Sequence, residues 1–340
     1  MSEALVDDPY ELTPDKVEEP PTRLFPMLKH LGPGFILSAS IVGSGELIAT
    51  TALGAKGGFI VLWVVLVSCL VKVAVQLEFG KHTIYTGQTT FQAFNSLPGW
   101  RSGKKTGHWT TWLWFLIMIP KPLQLGGILT AFAAILHLVV PGLGNTGWCF
   151  LVAPIVSALV FFGRYRLLER MSIVMIALFA VFTMVCVFAL QGTENYAFSF
   201  GDVASGLTFQ LPMAVVGVAI AAFGITGVGG DEIMMYNYWL LEKGYAAKTG
   251  PRDDSEAWNR RARGWIRVMT WDAVLSMVVY TVMTAAFFIL GAAVTHKTKG
   301  TLDGSTLIAD LSAMYTESVG PWAESFFFLG AGGVFFLTLF

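Results

Sequence analysis

Charged residues are scarce in this sequence of 340 residues, of which they make up only 13%. Soluble domains usually carry about 25% charged residues, and here 54% of the chain is hydrophobic. So few polar side chains cannot cover a water-facing surface for so many apolar ones. The composition therefore predicts a polytopic membrane protein. The net charge of −1 lacks the basic excess of nucleic-acid-binding proteins, so no nucleic-acid partner is expected.

Cysteines and catalytic motifs are equally scarce. The three cysteines lie far apart in apolar stretches and form no Cys-x-x-Cys pair, so nothing indicates a disulfide framework. The sequence contains no Walker A motif, no Gly-x-Ser-x-Gly and no His-Glu-x-x-His. We therefore expect neither an enzyme nor an ATP-driven pump, and no resident cofactor.

Eight apolar stretches are long enough to cross a bilayer, whose hydrocarbon core of about 30 Å requires about 20 helical residues. They cover residues 32–54, 58–79, 110–139, 146–163, 171–191, 210–240, 270–295 and 322–340. The third is expected to be kinked at Pro120 and Pro122. Polar connections are expected at 192–209, 241–269 and 296–321. The predicted fold class is thus an all-α membrane protein.

The basic residues predict the orientation of these helices. With a cytoplasmic N-terminus, 17 of the 22 Lys and Arg residues fall on the cytoplasmic side and three fall outside. This asymmetry follows the positive-inside rule. We expect an integral protein of the plasma (inner) membrane, in contact with the lipid bilayer. Residues 1–30, acidic and containing prolines, are expected to form a disordered cytosolic tail.

Glycines and carboxylates interrupt the first and sixth spans. The first contains Gly-Ser-Gly-Glu at 43–46, and the sixth contains Gly-Gly-Asp-Glu at 229–232. The spacing of Gly43 and Glu46 recurs 186 positions later as Gly229 and Glu232. Five helices separate the two segments, so the second copy enters the membrane with inverted polarity. Glycines also serve close helix packing, but paired interruptions beside carboxylates favour a transporter binding site.

These segments carry a resemblance to a known family. Gly32-Pro33-Gly34-Phe35 at the start of the first helix, the interruption at 43–46 and Arg166-Leu167-Leu168-Glu169 resemble the NRAMP family. The resemblance implies a proton-coupled divalent-metal transporter with the LeuT-type fold of two inverted five-helix repeats. It extends over about 32–340, and by it residues 31–191 are the first repeat and residues 192–340 are helices six to eight of the second.

The sequence departs from the family at its motifs. Gly43-Ser44-Gly45-Glu46 stands where the family has Asp-Pro-Gly-Asn, so Gly43 replaces a ligand aspartate and Glu46 a ligand asparagine. The family's sixth-helix methionine is replaced near Gly229, which resembles a divergent branch that lacks this soft ligand. The repeat length also predicts a second repeat that ends beyond Phe340. We therefore expect either a fragment or a divergent end that lacks two helices.

The remaining donors are rich in oxygen, which favours Mg²⁺, Mn²⁺ or Ca²⁺ as the transported ion. The predicted ligands are Gly43, Ser44, Glu46, Thr226, Gly229, Gly230, Asp231 and Glu232. Lys121, between two prolines, either pairs with one of these carboxylates or extends to the interface. With Gln124 it is the candidate coupling or counter-charge group. The alternative substrate is an amino acid or organic amine, and protein partners are not predicted.

Overall fold

The computed structural model describes residues 8–34, 38, 41–103, 107–162, 165–302, 304 and 306–339. Within these ranges the regular structure is helical, apart from an isolated β-bridge between Arg101 and His108. The helices are α1 (Leu24–Leu28), α2 (Ser44–Gly57), α3 (Leu62–Thr86), α4 (Thr90–Ser96), α5 (Trp109–Met118), α6 (Lys121–Val139), α7 (Asn145–Phe161), α8 (Tyr165–Ala189), α9 (Phe200–Ser205), α10 (Val216–Ile225), α11 (Gly230–Glu242), α12 (Tyr245–Thr249), α13 (Glu256–Leu290), α14 (His296–Thr298), α15 (Leu307–Val319) and α16 (Ala323–Thr338). A π-helical segment, Gly291–Thr295, connects α13 to α14.

Five helical segments among the described residues are long and apolar enough to cross a membrane. They are Phe59–Thr86, Trp109–Val139, Val174–Gly192, Met213–Glu242 and Glu256–Thr298. Two shorter apolar helices, Asn145–Leu159 and Ala323–Thr338, match the fourth and eighth predicted spans. Residues 35–37, 39 and 40 of the first predicted span lie outside the described residues, as do residues 1–7 of the predicted tail. The lengths and apolar composition of these helices indicate an integral membrane protein.

The third predicted span is interrupted at its prolines, and the predicted polar connections contain helices. α5 ends at Met118 and α6 begins at Lys121 with Pro120 as its N-cap. The connection predicted at 241–269 contains α12 and the first 14 residues of α13. Those predicted at 192–209 and 296–321 contain α9, and α14 and α15, respectively. Trp258 and Trp265 are buried here, and the exposed side of α13 carries arginines. This segment is an amphipathic helix.

The chain forms two compact units. The first unit comprises Met1–Ser38, Val71–Ile119 and Val228–Val278, and the second comprises Ala39–Leu70, Pro120–Gly227 and Val279–Phe340. The chain passes between them at Gly227–Val228, inside the predicted interruption of the sixth span.

Residues of the N-terminal segment make specific contacts with other parts of the first unit, to which the segment belongs. The N–H of Glu18 donates to the Lys248 carbonyl at 3.0 Å, and the Trp265 indole donates to the Glu18 carbonyl at 3.1 Å. Pro20 lies directly over Gly264, where a side chain would displace it. Its low hydrophobicity did not reveal this packing, because main-chain hydrogen bonds and a glycine groove hold the segment.

In the second unit, α2 packs tightly against the π-helical segment. A Cβ atom on Gly54 would collide with the Phe288 carbonyl, and one on Gly291 would collide with the Thr51 carbonyl. The hydroxyl of Thr51 donates to the Phe287 carbonyl at 3.3 Å. These helices therefore meet at backbone distance, which only glycine allows.

Candidate functional site

The first helix interruption lies at Val42 and Gly43, where the sequence predicts one. Gly43 is the N-cap of α2 and has an extended backbone, with φ −113° and ψ −168°. Its N–H donates to the Ile41 carbonyl at 2.5 Å. The N–H of Ser44 donates to the Thr338 hydroxyl at 3.4 Å. Side-chain and local acceptors thus replace part of the hydrogen bonding that an uninterrupted helix would supply.

Glu46 occupies the third position of α2, and its carboxylate is directed to the second interruption. The residue is only 2% exposed. Its Oε1 accepts the backbone N–H of Gly227 at 2.6 Å. A buried carboxylate needs such partners because desolvation strongly disfavours its charge. Glu46 therefore joins two segments that are 181 positions apart in the sequence.

The second interruption follows α10, which ends at Ile225. Thr226 is extended, and Gly227 has a φ of +72°, which favours glycine. The Ser68 hydroxyl lies 2.9 Å from the Thr226 carbonyl oxygen and 2.8 Å from that of Phe223. A Cβ atom on Gly227 would lie 3.3 Å from the Cα of Cys69. This part of the interruption belongs entirely to the second unit.

In the first unit, α11 begins at Gly230 with Gly229 as its N-cap. Asp231 and Glu232 are the second and third residues of this helix, and both carboxylates lie over Gly229. A Cβ atom on Gly229 would lie 3.2 Å from Asp231 Oδ1 and would collide with Glu232 Oε2. A Cβ atom on Gly230 would meet nothing within 4 Å. Glycine at position 229 thus makes room for two converging carboxylates.

Lys121 and Gln124 lie in the second unit at the start of α6. Lys121 is the first residue of the helix and is half-buried, whereas Gln124 is exposed. Their coupling role stays a prediction. In the part of the chain that the structure describes, no three His, Cys, Asp or Glu side chains come together as a metal-binding group. A cation held here would need hydroxyl or carbonyl oxygens in addition to carboxylates.

Sequence reasoning missed three residues that support these segments. Ser68 and Thr338 bond the interrupted backbones, and ordinary hydroxyl residues in apolar helices give no signal of that role. Asp272 is fully buried in the first unit and accepts two backbone N–H groups. An acidic residue inside a predicted span was a usable signal for Asp272. Carboxylates at membrane depth are therefore not confined to the two interruptions.

Solved structures with a similar fold are membrane transporters. The structure matches a histidine-to-alanine variant of a manganese transporter from Eremococcus coleocola with a TM-score of 0.61 and 16% identity, covering 97% of this chain and 68% of that one. A crystal structure of the same transporter in complex with an aromatic bis-isothiourea substituted compound gives a TM-score of 0.60 at 16% identity and covers 99% and 69%. The LeuT-type fold is thereby confirmed.

Sequence comparisons agree with the fold. An uncharacterised protein of Pasteurella multocida is 24% identical over 300 residues, which are 86% of this chain. The chain spans 63% of the length of that relative. The model of the Nramp family, described as natural resistance-associated macrophage protein-like, matches residues 34–334. Because this match covers far more than half of the sequence, the chain belongs to the Nramp family.

Proposed function

We propose that this protein is a secondary transporter that moves a divalent metal cation across the membrane. Family membership supports this proposal, as does the fold shared with a manganese transporter. The observation that carries it is the convergence of the Asp231 and Glu232 carboxylates over Gly229, at the first turn of a half-helix. Interrupted helices with inward-facing polar groups are typical of transporter binding sites.

The proposed ligands are oxygen atoms. Asp231 and Glu232 supply charge, and hydroxyl and carbonyl oxygens complete the coordination. Of the sequence-predicted contributors, Gly229 and Gly230 belong to the same half-helix as the two carboxylates. Gly43, Ser44 and Thr226 belong to the second unit and stay predictions from the sequence. Hard oxygen donors favour Mg²⁺, Mn²⁺ or Ca²⁺. The metal is the substrate of the protein and not a resident cofactor.

The remaining features of the proposal concern topology and coupling. Residues 31–191 and 192–340 would belong to two inverted repeats, in the plasma membrane with a cytoplasmic N-terminus. Lys121 and Gln124 are placed near the helix kink as counter-charge or coupling groups. Glu46, which the sequence predicts as a ligand, accepts the backbone N–H of Gly227.

Metal uptake into proteoliposomes tests the proposal. The purified protein is reconstituted with an entrapped indicator, and Mn²⁺, Mg²⁺ and Ca²⁺ are added in turn. We expect saturable uptake of at least one of these ions. Asp231→Asn and Glu232→Gln should each reduce kcat/KM at least about tenfold, because a lost charged ligand costs more than 1.4 kcal/mol.

The matched control is Glu324→Gln, since Glu324 is an exposed carboxylate in the first turn of another apolar helix. It should keep the uptake of the unsubstituted protein. Uptake of a labelled amino acid or amine in place of all three metals would contradict the proposal. Undiminished metal uptake in both site variants would contradict it as well.

A further inference from the structure

One oxygen of the Glu46 carboxylate is bonded to the protein backbone. We propose that Glu46 is a positioning residue, which together with Ser68 fixes one peptide group in the second helix interruption. The inference rests on the proposed function for its effect on transport. Its structural basis is independent of that function.

The two partners act on the same peptide unit. The carbonyl oxygen of Thr226 and the N–H of Gly227 belong to one planar group. Glu46 Oε1 accepts that N–H at 2.6 Å. The Ser68 hydroxyl lies 2.9 Å from that oxygen and shares its one proton with the Phe223 carbonyl at 2.8 Å. Glu46 therefore holds one end of the group firmly, Ser68 supports the other, and a turn of the peptide plane breaks the bond to Glu46.

This position needs external support. Gly227 adopts a left-handed φ of +72°, and glycine itself favours neither sign of φ strongly. Glu46, Ser68 and Thr226 are almost completely buried, so water does not compete for these hydrogen bonds. A hydrogen bond shielded from water is stronger than one exposed to it. The orientation of the neighbouring carbonyl groups follows from the plane that these side chains fix.

The equivalent glutamate behaves differently, which argues that the contact of Glu46 is specific. Glu46 and Glu232 both hold the third position of a half-helix whose N-cap is glycine. A glutamate at this position commonly turns back toward its own N-cap, and Glu232 lies over Gly229 in this way. The N–H of Gly43 already donates to Ile41, and Glu46 extends to Gly227 instead.

Two substitutions of Glu46 distinguish the role of its hydrogen-bond acceptor from the role of its negative charge. Glu46→Gln keeps an oxygen acceptor at the same reach and removes the charge. Glu46→Asp keeps the charge and shortens the side chain by one methylene group. A positioning residue should therefore tolerate Gln better than Asp, and a charged metal ligand should do the opposite.

The test measures transport and backbone exchange on the same variants. In proteoliposomes, Glu46→Gln should keep the KM for the transported metal within about twofold, whereas Glu46→Asp should raise it about tenfold or more. Hydrogen–deuterium exchange of a peptide containing Gly227 should accelerate in Glu46→Asp and not in Glu46→Gln. If Glu46→Asp fails to fold, Ser68→Ala takes its place in the exchange measurement. This variant leaves every carboxylate intact and should accelerate the same exchange.

Matched controls are Glu324→Asp and Ser318→Ala. Glu324 is exposed, and the buried Ser318 hydroxyl donates to the Met314 carbonyl within its own helix at 2.6 Å. Neither should change exchange at Gly227. A large KM increase in Glu46→Gln with near-normal Glu46→Asp would overturn the proposal, as would unchanged exchange in both Glu46→Asp and Ser68→Ala. Absence of metal uptake by the unsubstituted protein would instead refute the proposed function, and the exchange data would still decide the role of Glu46.

Discussion

Asp272 Oδ2 accepts the backbone N–H of Gly34 at 2.6 Å, across 238 positions of sequence. The other carboxylate oxygen accepts the N–H of Gly32 at 3.0 Å. Asp272 is completely buried, and a Cβ atom on Gly34 would lie 2.9 Å from Oδ2 and collide with the Ser276 hydroxyl. One side chain of α13 thus satisfies two donors at the start of the first predicted span.

Removal of this carboxylate should destabilise the fold. Asp272→Ala leaves the buried N–H of Gly34 and the part-buried N–H of Gly32 without this acceptor, which costs about 3 kcal/mol. The midpoint of thermal unfolding in detergent, followed by tryptophan fluorescence, should fall clearly. Glu324→Ala, at an exposed first-turn carboxylate, is the control and should leave the midpoint unchanged. Equal midpoints for the two variants would show that the Asp272 carboxylate does not stabilise the fold.

Gly229→Ala should impair transport more than stability. The added methyl group collides with the Glu232 carboxylate, which is the mobile end of a side chain and can move away. We expect a midpoint of unfolding close to that of the unsubstituted protein and a reduction of metal uptake of about tenfold, since a charged ligand is displaced. Both quantities are measured on one preparation.

The neighbouring glycine provides the control for this substitution. A Cβ atom on Gly230 meets no atom within 4 Å, so Gly230→Ala adds the same methyl group without displacing a carboxylate. It should keep metal uptake. If Gly230→Ala reduced uptake as strongly as Gly229→Ala, the convergence of carboxylates over Gly229 would not explain the loss.

His30 should make stability depend on pH. Burial lowers the pKa of its imidazole below the ordinary value of 6.5, the nearby Lys248 and Lys243 lower it further, and Glu18 opposes them. The folded state therefore favours the neutral ring. The resulting stabilisation is fully present above the unfolded-state pKa of 6.5 and is lost as the pH falls through the lower pKa of the folded state.

Thermal unfolding at about pH 7.5 and about pH 5.5 measures this effect. The rings of His30 and Trp265 pack edge-on with their centroids 5.2 Å apart. His30→Phe keeps an aromatic ring at this contact and removes the titratable imidazole. We expect acidification to lower the unfolding midpoint less in this variant than in the unsubstituted protein. His82→Phe, at an exposed histidine, should retain the full acid dependence. Identical acid shifts in all three proteins would contradict the role of His30.

Much of the fold was predictable from the lengths of the apolar stretches and from the positions of glycine and proline within them. The kink at Pro120 and the interruptions at Gly43 and Gly229 follow from the chemistry of single residues. Hydropathy does not identify the start of α13 as part of an apolar span, because several arginines lie between its two buried tryptophans. The packing of residues 8–30 depends on main-chain bonds to Lys248 and Trp265, distant positions that composition does not encode.

The sequence predicted which residues belong to the candidate site better than it predicted what each of them does. Carboxylates beside glycines identified Glu46 and Glu232 as a related pair. Only the structure distinguishes them, because Glu46 bonds Gly227 and Glu232 turns over Gly229. A repeated sequence pattern predicts the same role for both glutamates, because it takes no account of their neighbours in other helices. The direction of a side chain depends on neighbours such as Ser68 that belong to other helices.

The backbone contact between Gly54 and the Phe288–Ala292 segment has a mechanical consequence. Ordinary helix pairs touch through side chains, whose rotamers can absorb a displacement before it reaches the neighbour. Here carbonyl and amide groups meet without an intervening side chain, so a displacement of α2 directly displaces the end of α13. In any movement that accompanies substrate passage, these two elements should move together as one rigid body.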